Sequence, residues 1–270
     1  MNLIDSHCHL DDEKFNVDRD ETIEAVIKSG VTAFISAGYS VEGSRKALEL
    51  SQKYDFIYAT CGISPNDIPQ TEQELWKMVR EIENMVKTQQ KNKIVAIGEI
   101  GLDYYWEKET EKRELQKKAF IMQIELANKL GLPIVIHTRD AVSDTLAILK
   151  ENPVDKKGVF HCCPQNRELI KEALQLGFYI SFAGPITFKN ARNSAEMIEL
   201  VPNDKLLIET DSPYLAPEPV RGTRNTPANV RYVAQRIADV KGITIQEVED
   251  FITKNIAKIY PQMTSVLKIV

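Results

Sequence analysis

Short apolar runs alternate along this chain with longer segments of helical spacing, and the rhythm holds from end to end. Residues 2–9 predict a first strand. Asp18 followed by Glu21 three positions later predicts a capping box and a helix to about Ser29, stopped by Gly30. The β-branched run Val31 to Ala37 is strand, Val41 to Lys53 is helix on the spacing of Ala47, Leu48 and Leu50, and Phe56 to Cys61 is strand again. The pattern then predicts a helix over 72–87, a strand over 94–100 and a long helix over 109–130 that Gly131 ends and Pro133 follows. Strands over 133–137, 158–162, 178–182 and 205–210 alternate with helices over 141–151, 166–176 and 190–200. Thr226-Pro227 opens a further helix to about Val240, and Thr244 with Glu247 boxes the start of the last, to about Tyr260.

Each strand is a continuous apolar run, which signals burial on both faces, as in a parallel sheet covered by helices. Eight βα units fit an α/β fold of the closed (βα)8 TIM-type barrel better than an open doubly wound sheet, and such barrels use about 250 residues as one domain. The 270 residues therefore read as one barrel domain, 1–270, without linker or low-complexity segment. No G-x-G-x-x-G or P-loop motif occurs, so a nucleotide cofactor is not expected.

The chain has only four histidines, and all of them close apolar runs: His7 and His9 after Leu3-Ile4, His137 after Ile134-Val135-Ile136, His161 after Val159-Phe160. Two more runs end in carboxylates, at Glu99 and at Asp211. Alternate residues of a strand share a face, so His7 and His9 point the same way. A barrel brings all these strand ends to one mouth, where an open sheet would separate the first from the last. Imidazoles and carboxylates so gathered form a metal site at the C-terminal ends of the strands. Six ligands exceed what one catalytic ion takes, so two divalent ions (Mg, Mn or Zn) are expected. A carboxylate can bridge them where a neutral imidazole cannot, and Glu99, on the strand midway around, is the expected bridge; His7, His9 and Asp211 would hold the first ion, His137 and His161 the second. Two such ions about 3.5–4 Å apart stabilise attacking and leaving oxygens and bring the pKa of water toward ~7, which is hydrolytic chemistry. Asp211 could also serve as general base. Read singly, Asp211 could cap the turn at Ser212-Pro213 and Glu99 could pair with a lysine.

Arg139, Lys189, Arg221 and Arg224 fall in segments that a barrel would place near the mouth, and together they suggest an anionic substrate. Tyr104, Tyr105 and Trp106 could stack on a base or pack as a lid. A net charge of -5 excludes a general basic surface, so contact with nucleic acid would be local. Cys8, Cys61, Cys162 and Cys163 form no C-x-x-C pair and read as reduced thiols; Cys163 reads first as a plain buried or loop thiol, and less readily as one that approaches a metal beside His161. With no basic leader and no apolar run near the ~18 residues of a membrane helix, the chain is expected to be cytoplasmic. A monomer is the expected state.

The motifs DSHCHL at 5–10, GEIGLDYY at 98–105, PIVIHTRDA at 133–141, HC at 161–162 and ETDSPYLAP from 209 resemble the TatD family of metal-dependent hydrolases and deoxyribonucleases, in the amidohydrolase-like barrel group. The resemblance runs nearly end to end. It implies the same two-metal assignment, with Glu99 bridging, and phosphodiester hydrolysis in DNA, often exonucleolytic; a nucleic-acid partner, single-stranded or a DNA end, is expected. Two stretches depart from the family pattern. Gly62-Ile63-Ser64-Pro65-Asn66 replaces a common G-x-H-P-H, so both loop histidines are absent, and His161-Cys162-Cys163-Pro164-Gln165 replaces H-C-F-S-G. A metal-dependent amide or ester hydrolase, including one that deacylates a charged tRNA, is the alternative. A metal-binding partner protein with little activity is the third possibility.

Overall fold

The eight apolar runs fold into eight parallel strands in the computed structural model, which describes residues 2–267. They are β1 Leu3–Cys8, β2 Val31–Ala37, β3 Ile57–Cys61, β4 Ile94–Asp103, β5 Ile134–Arg139, β6 Gly158–Phe160, β7 Tyr179–Phe182 and β8 Leu206–Ile208. Each pairs with the next in chain order, and helices between successive strands cover the sheet, giving a (βα)8 barrel. Nearly every strand residue is buried on both faces, which is why the runs are continuously apolar instead of alternating.

The seam between β8 and β1 is built differently from the other seven joins. Ser6 donates its hydroxyl to Ile208 O at 2.8 Å, and the Asp5 carboxylate accepts from Thr210 N at 2.9 Å and from Thr210 Oγ1 at 2.5 Å. Beyond β8, Asp211 N donates to His7 O at 3.0 Å and His9 N to Ser212 O at 2.7 Å. Burial pushes the Asp5 carboxyl well above its ordinary value, and its hydrogen bonds with Thr210 and His7 offset part of that. The seam thus rests on a buried polar network as well as on main-chain pairing.

Several local readings need correction. The helix α1, Arg19–Lys28, starts after Asp18, but the Asp18 side chain makes no cap; it binds Arg224 Nη1 and Nη2 at 2.7 and 2.6 Å. A two-pronged ion pair outweighs one N-cap bond. Strand β4 runs three residues further than expected, to Asp103, because it keeps pairing with β5 as far as Arg139. Strands β6 and β8 stop earlier than expected, so Cys162 (φ 39°) and Asp211 (φ 55°) lie in left-handed turns just past them. The box at Thr244 and Glu247 forms as expected and opens the helix α9, Ile245–Ile259. No helix among the described residues is long and apolar enough to cross a membrane.

Gly101 is required where β4 and β5 touch. Its φ is +140°, and a Cβ there would lie 2.0 Å from His137 O. Gly101→Ala should cost about 2–4 kcal/mol of stability, by a shape clash joined to a disfavoured φ. Urea denaturation measures it; a loss under ~1 kcal/mol would mean that β4 can shift away from β5.

Candidate metal centre

The strands bring His7, His9, Glu99, His137, His161 and Asp211 together at the C-terminal mouth of the barrel. His7 and His9 come from the end of β1, Glu99 from β4, His137 from β5, and His161 and Asp211 from the turns after β6 and β8. In the first cluster His7 Nε2 and His9 Nε2 are 3.3 Å apart. His7 Nε2 lies 3.4 Å from Glu99 Oε2 and 3.6 Å from Asp211 Oδ1; for His9 Nε2 the distances are 3.7 and 3.2 Å. In the second, His137 Nδ1 is 3.2 Å from His161 Nε2, and these atoms are 3.0 and 3.4 Å from Glu99 Oε1. Ligand atoms held tetrahedrally at about 2.0–2.2 Å from one cation stand about 3.4 Å apart, so each cluster has the spacing to hold one. The two oxygens of Glu99 divide between the clusters. Imidazole with carboxylate suits zinc or manganese better than it suits calcium.

Charge in the centre follows the same division. Burial alone would raise the Glu99 carboxyl, yet His161, His137 and His7 hold it well below its ordinary value. For Asp211, too, burial is overcome, by His9 above all. Burial depresses His9, but Asp211 and Glu99 lift it to about 9; His7 goes the other way, lowered by burial and by His161, whose ring stacks on it at 4.0 Å. Two ionised carboxylates among four imidazoles make a pocket that calls for positive charge, and metal ions or ring protons can supply it.

The imidazoles are held from behind. His9 Nδ1 lies 3.0 Å from Ala37 O, and His161 Nδ1 lies 3.3 Å from Glu209 Oε1, which also accepts from Cys162 N at 2.7 Å. His137 Nε2 is 3.0 Å from Asp103 Oδ2. Neither Asp103 nor Glu209 was picked out by reading the sequence. A signal for Asp103 exists: it lies four residues beyond Glu99 in the same strand and so falls on the same face. Glu209 closes the same apolar run as Asp211, and that shared signal does not say which of the two faces the cavity and which stands behind His161.

A cavity of about 710 Å³ opens above the centre, lined by Glu99, His137, His161 and Asp211 among others. Of the four expected substrate cations only Arg139 lines it, its guanidinium 3.7 Å above the Tyr105 ring. Arg224 is spent on Asp18, Arg221 lies over Phe188 at 4.3 Å, and Lys189 is exposed outside the cavity. The aromatic trio divides: the Tyr104 hydroxyl donates to Asp144 at 2.6 Å and packs away, while Trp106 lines the cavity with 66% of its surface exposed. Ser64 and Asn66 also line it, Ser64 donating to Asp67 at 2.6 Å and Asn66 to Asp103 at 3.2 Å. Cys162 faces the cavity; Cys163 is a plain buried thiol behind it, with its N–H on Ser181 O at 2.9 Å. All four cysteines are free thiols.

A parallel (βα)8 barrel with two adjoining imidazole and carboxylate clusters at its mouth defines a class, that of metal-dependent hydrolases. Comparison with known proteins narrows it. The family model described as TatD related DNase matches residues 4–261. The chain is 41% identical over 261 residues to YabD, an uncharacterized metal-dependent hydrolase of Bacillus subtilis, covering 96% of this chain and 98% of that one. It is 40% identical over 267 residues to YcfH, an uncharacterized metal-dependent hydrolase of Escherichia coli, covering 96% of each. Among solved structures, YjjV, a TatD homolog from Escherichia coli, superposes with a TM-score of 0.88 at 25% identity, covering 96% of this chain and 98% of that one. The chain belongs to the TatD family of metal-dependent hydrolases.

Proposed function

We propose that this hydrolase is a two-ion phosphodiesterase that removes nucleotides from the ends of DNA, most readily single-stranded. The observation that carries the reading is the division of Glu99, one oxygen to each cluster at 3.0–3.7 Å from four imidazole nitrogens. His7, His9 and Asp211 would hold the first ion and His137 and His161 the second. Mg, Mn or Zn bound there would polarise a phosphoryl oxygen and lower the pKa of water. The cavity falls in the ~300–1,000 Å³ range of small-molecule sites, a size for a strand end instead of a duplex. Arg139, held over Tyr105, can pair with a phosphate in that cavity. The exposed Trp106 indole offers a base a face to stack on. Asp211, ionised and at the cavity wall, is placed to take a proton from the attacking water.

One observation favours a second reading. Arg139 is the one Arg or Lys among the described residues lining the cavity, where Asp12, Asp67, Glu99, Asp103 and Asp211 also stand. So acidic a wall suits a neutral reacting group, such as an amide, or the ester bond of an acylated tRNA. The test is digestion of end-labelled single-stranded DNA by metal-stripped protein, after adding back magnesium, manganese, zinc or nothing. Metal-dependent cleavage with a ladder growing from one end is expected. A folded, metal-loaded protein that leaves DNA intact yet turns over amides or esters would transfer the assignment to the second reading.

A further inference from the structure

The four imidazoles differ in what holds them, and His137 is the exception. Main-chain carbonyl Ala37 O supports His9, and the fully buried Glu209 supports His161. His7 Nδ1 meets no hydrogen-bond partner among the described residues. His137 instead leans on Asp103, and Asp103 is a junction. Its Oδ1 accepts from the backbone N–H groups of Tyr105 and Trp106, both at 3.0 Å, in the turn that carries the exposed indole. Its Oδ2 is shared between His137 Nε2 at 3.0 Å and Asn66 Nδ2 at 3.2 Å, from the loop after β3. Gln116 adds a brace: its Oε1 accepts from Asp103 N at 3.0 Å and its Nε2 donates to Pro65 O at 3.0 Å. Asp103 itself is 1% exposed.

We propose that Asp103 is a positioning residue: it accepts a hydrogen bond from His137 Nε2–H, leaving Nδ1 unprotonated and facing into the second cluster, and so ties that cluster to both loops at the cavity mouth. A carboxylate can only accept, so it fixes the tautomer as well as the ring angle. The first cluster meets these loops less directly, through Tyr39, whose carbonyl accepts from Ser64 N at 2.7 Å and whose ring stands edge-on to His9. The two clusters share Glu99, so a substrate pressing on Trp106 or the Asn66 loop acts on the second cluster first. The part of this inference that concerns ions rests on the two-ion reading above; the tautomer does not.

Asp103→Asn tests it, because the amide would face Nε2 as a donor and drive the proton to Nδ1. Nitrogen-15 NMR of the metal-free protein, alkaline enough for the ring to be neutral, should show His137 protonated on Nε2 in the native chain and on Nδ1 in the variant. A native ring protonated on Nδ1, or no change in the variant, overturns the proposal, and the native measurement decides even if the variant does not fold. Manganese titration should show the second ion bound about 10–100-fold more weakly by Asp103→Asn, with the first unaffected. Equal weakening of both ions would overturn the selective link. Asn66→Ala should keep the tautomer and weaken the second ion less; no weakening would remove the tie to that loop. If the native chain binds a single ion, the two-ion reading fails, and the tautomer still judges Asp103.

Discussion

Asp211→Asn is expected to yield a folded protein that keeps most of its metal and has lost hydrolysis, with kcat down by about 10²–10⁴-fold. Asparagine is nearly isosteric and retains one carbonyl oxygen, which can still sit where Oδ1 does, 3.2 Å from His9 Nε2. What it cannot do is accept a proton from water. Asp211 is ionised although buried, because His9 above all outweighs the burial that would otherwise neutralise it, and that state is the one a base needs. Its φ of 55° holds it in a left-handed turn that Asp tolerates better than most residues, so asparagine, which shares that tolerance, should not add strain. Turnover of DNA or of an activated phosphodiester, measured beside metal content and melting temperature, tests this. Activity within about tenfold of the native protein would show that another group takes the proton, with Asp12 and Asp67 in the same cavity wall as the next to replace.

Glu99→Ala should have the larger effect on metal, because it removes an oxygen from both clusters at once. The first cluster would keep His7, His9 and Asp211, and the second would keep only two imidazoles. Bound metal after dialysis, counted by mass spectrometry, should fall at both sites, and activity with it. Glu99→Gln should be nearly as severe, since a neutral amide offers one oxygen and no charge to four imidazoles. Metal content equal to that of the native protein would remove the bridging role.

The architecture could be read from the sequence because each strand is buried on both faces and announces itself without any tertiary information. That these six side chains gather could be read because histidine is scarce here, and every one of the four closes an apolar run. What could not be read lies past the strand ends. The rule that alternate residues share a face holds to Phe160 and Ile208, where β6 and β8 stop; beyond them the turns at Cys162 and Asp211 decide which side chain faces the cavity. That is why the sequence does not show Glu209's place behind His161, nor that Cys162 is the thiol facing the cavity. Loop cations were harder still. Arg224 stands after β8, where an anion site is reasonable in a barrel, but its partner Asp18 is 206 residues away in sequence, and no local pattern reveals such a pairing.

The seam between β8 and β1 has a kinetic consequence. Its contacts join residues 205 apart, such as Asp5 and Thr210, whereas every other strand pair joins consecutive strands of the chain. Closure of so long a loop must await the arrival of β8, and its entropic cost is met only at that point. His7 and His9 stand on one side of that seam and Asp211 on the other. During synthesis, the first cluster therefore cannot exist on a partial barrel, however well its early strands have folded. Completing the ring and completing that cluster are one event, so a chain stalled before β8 would carry neither.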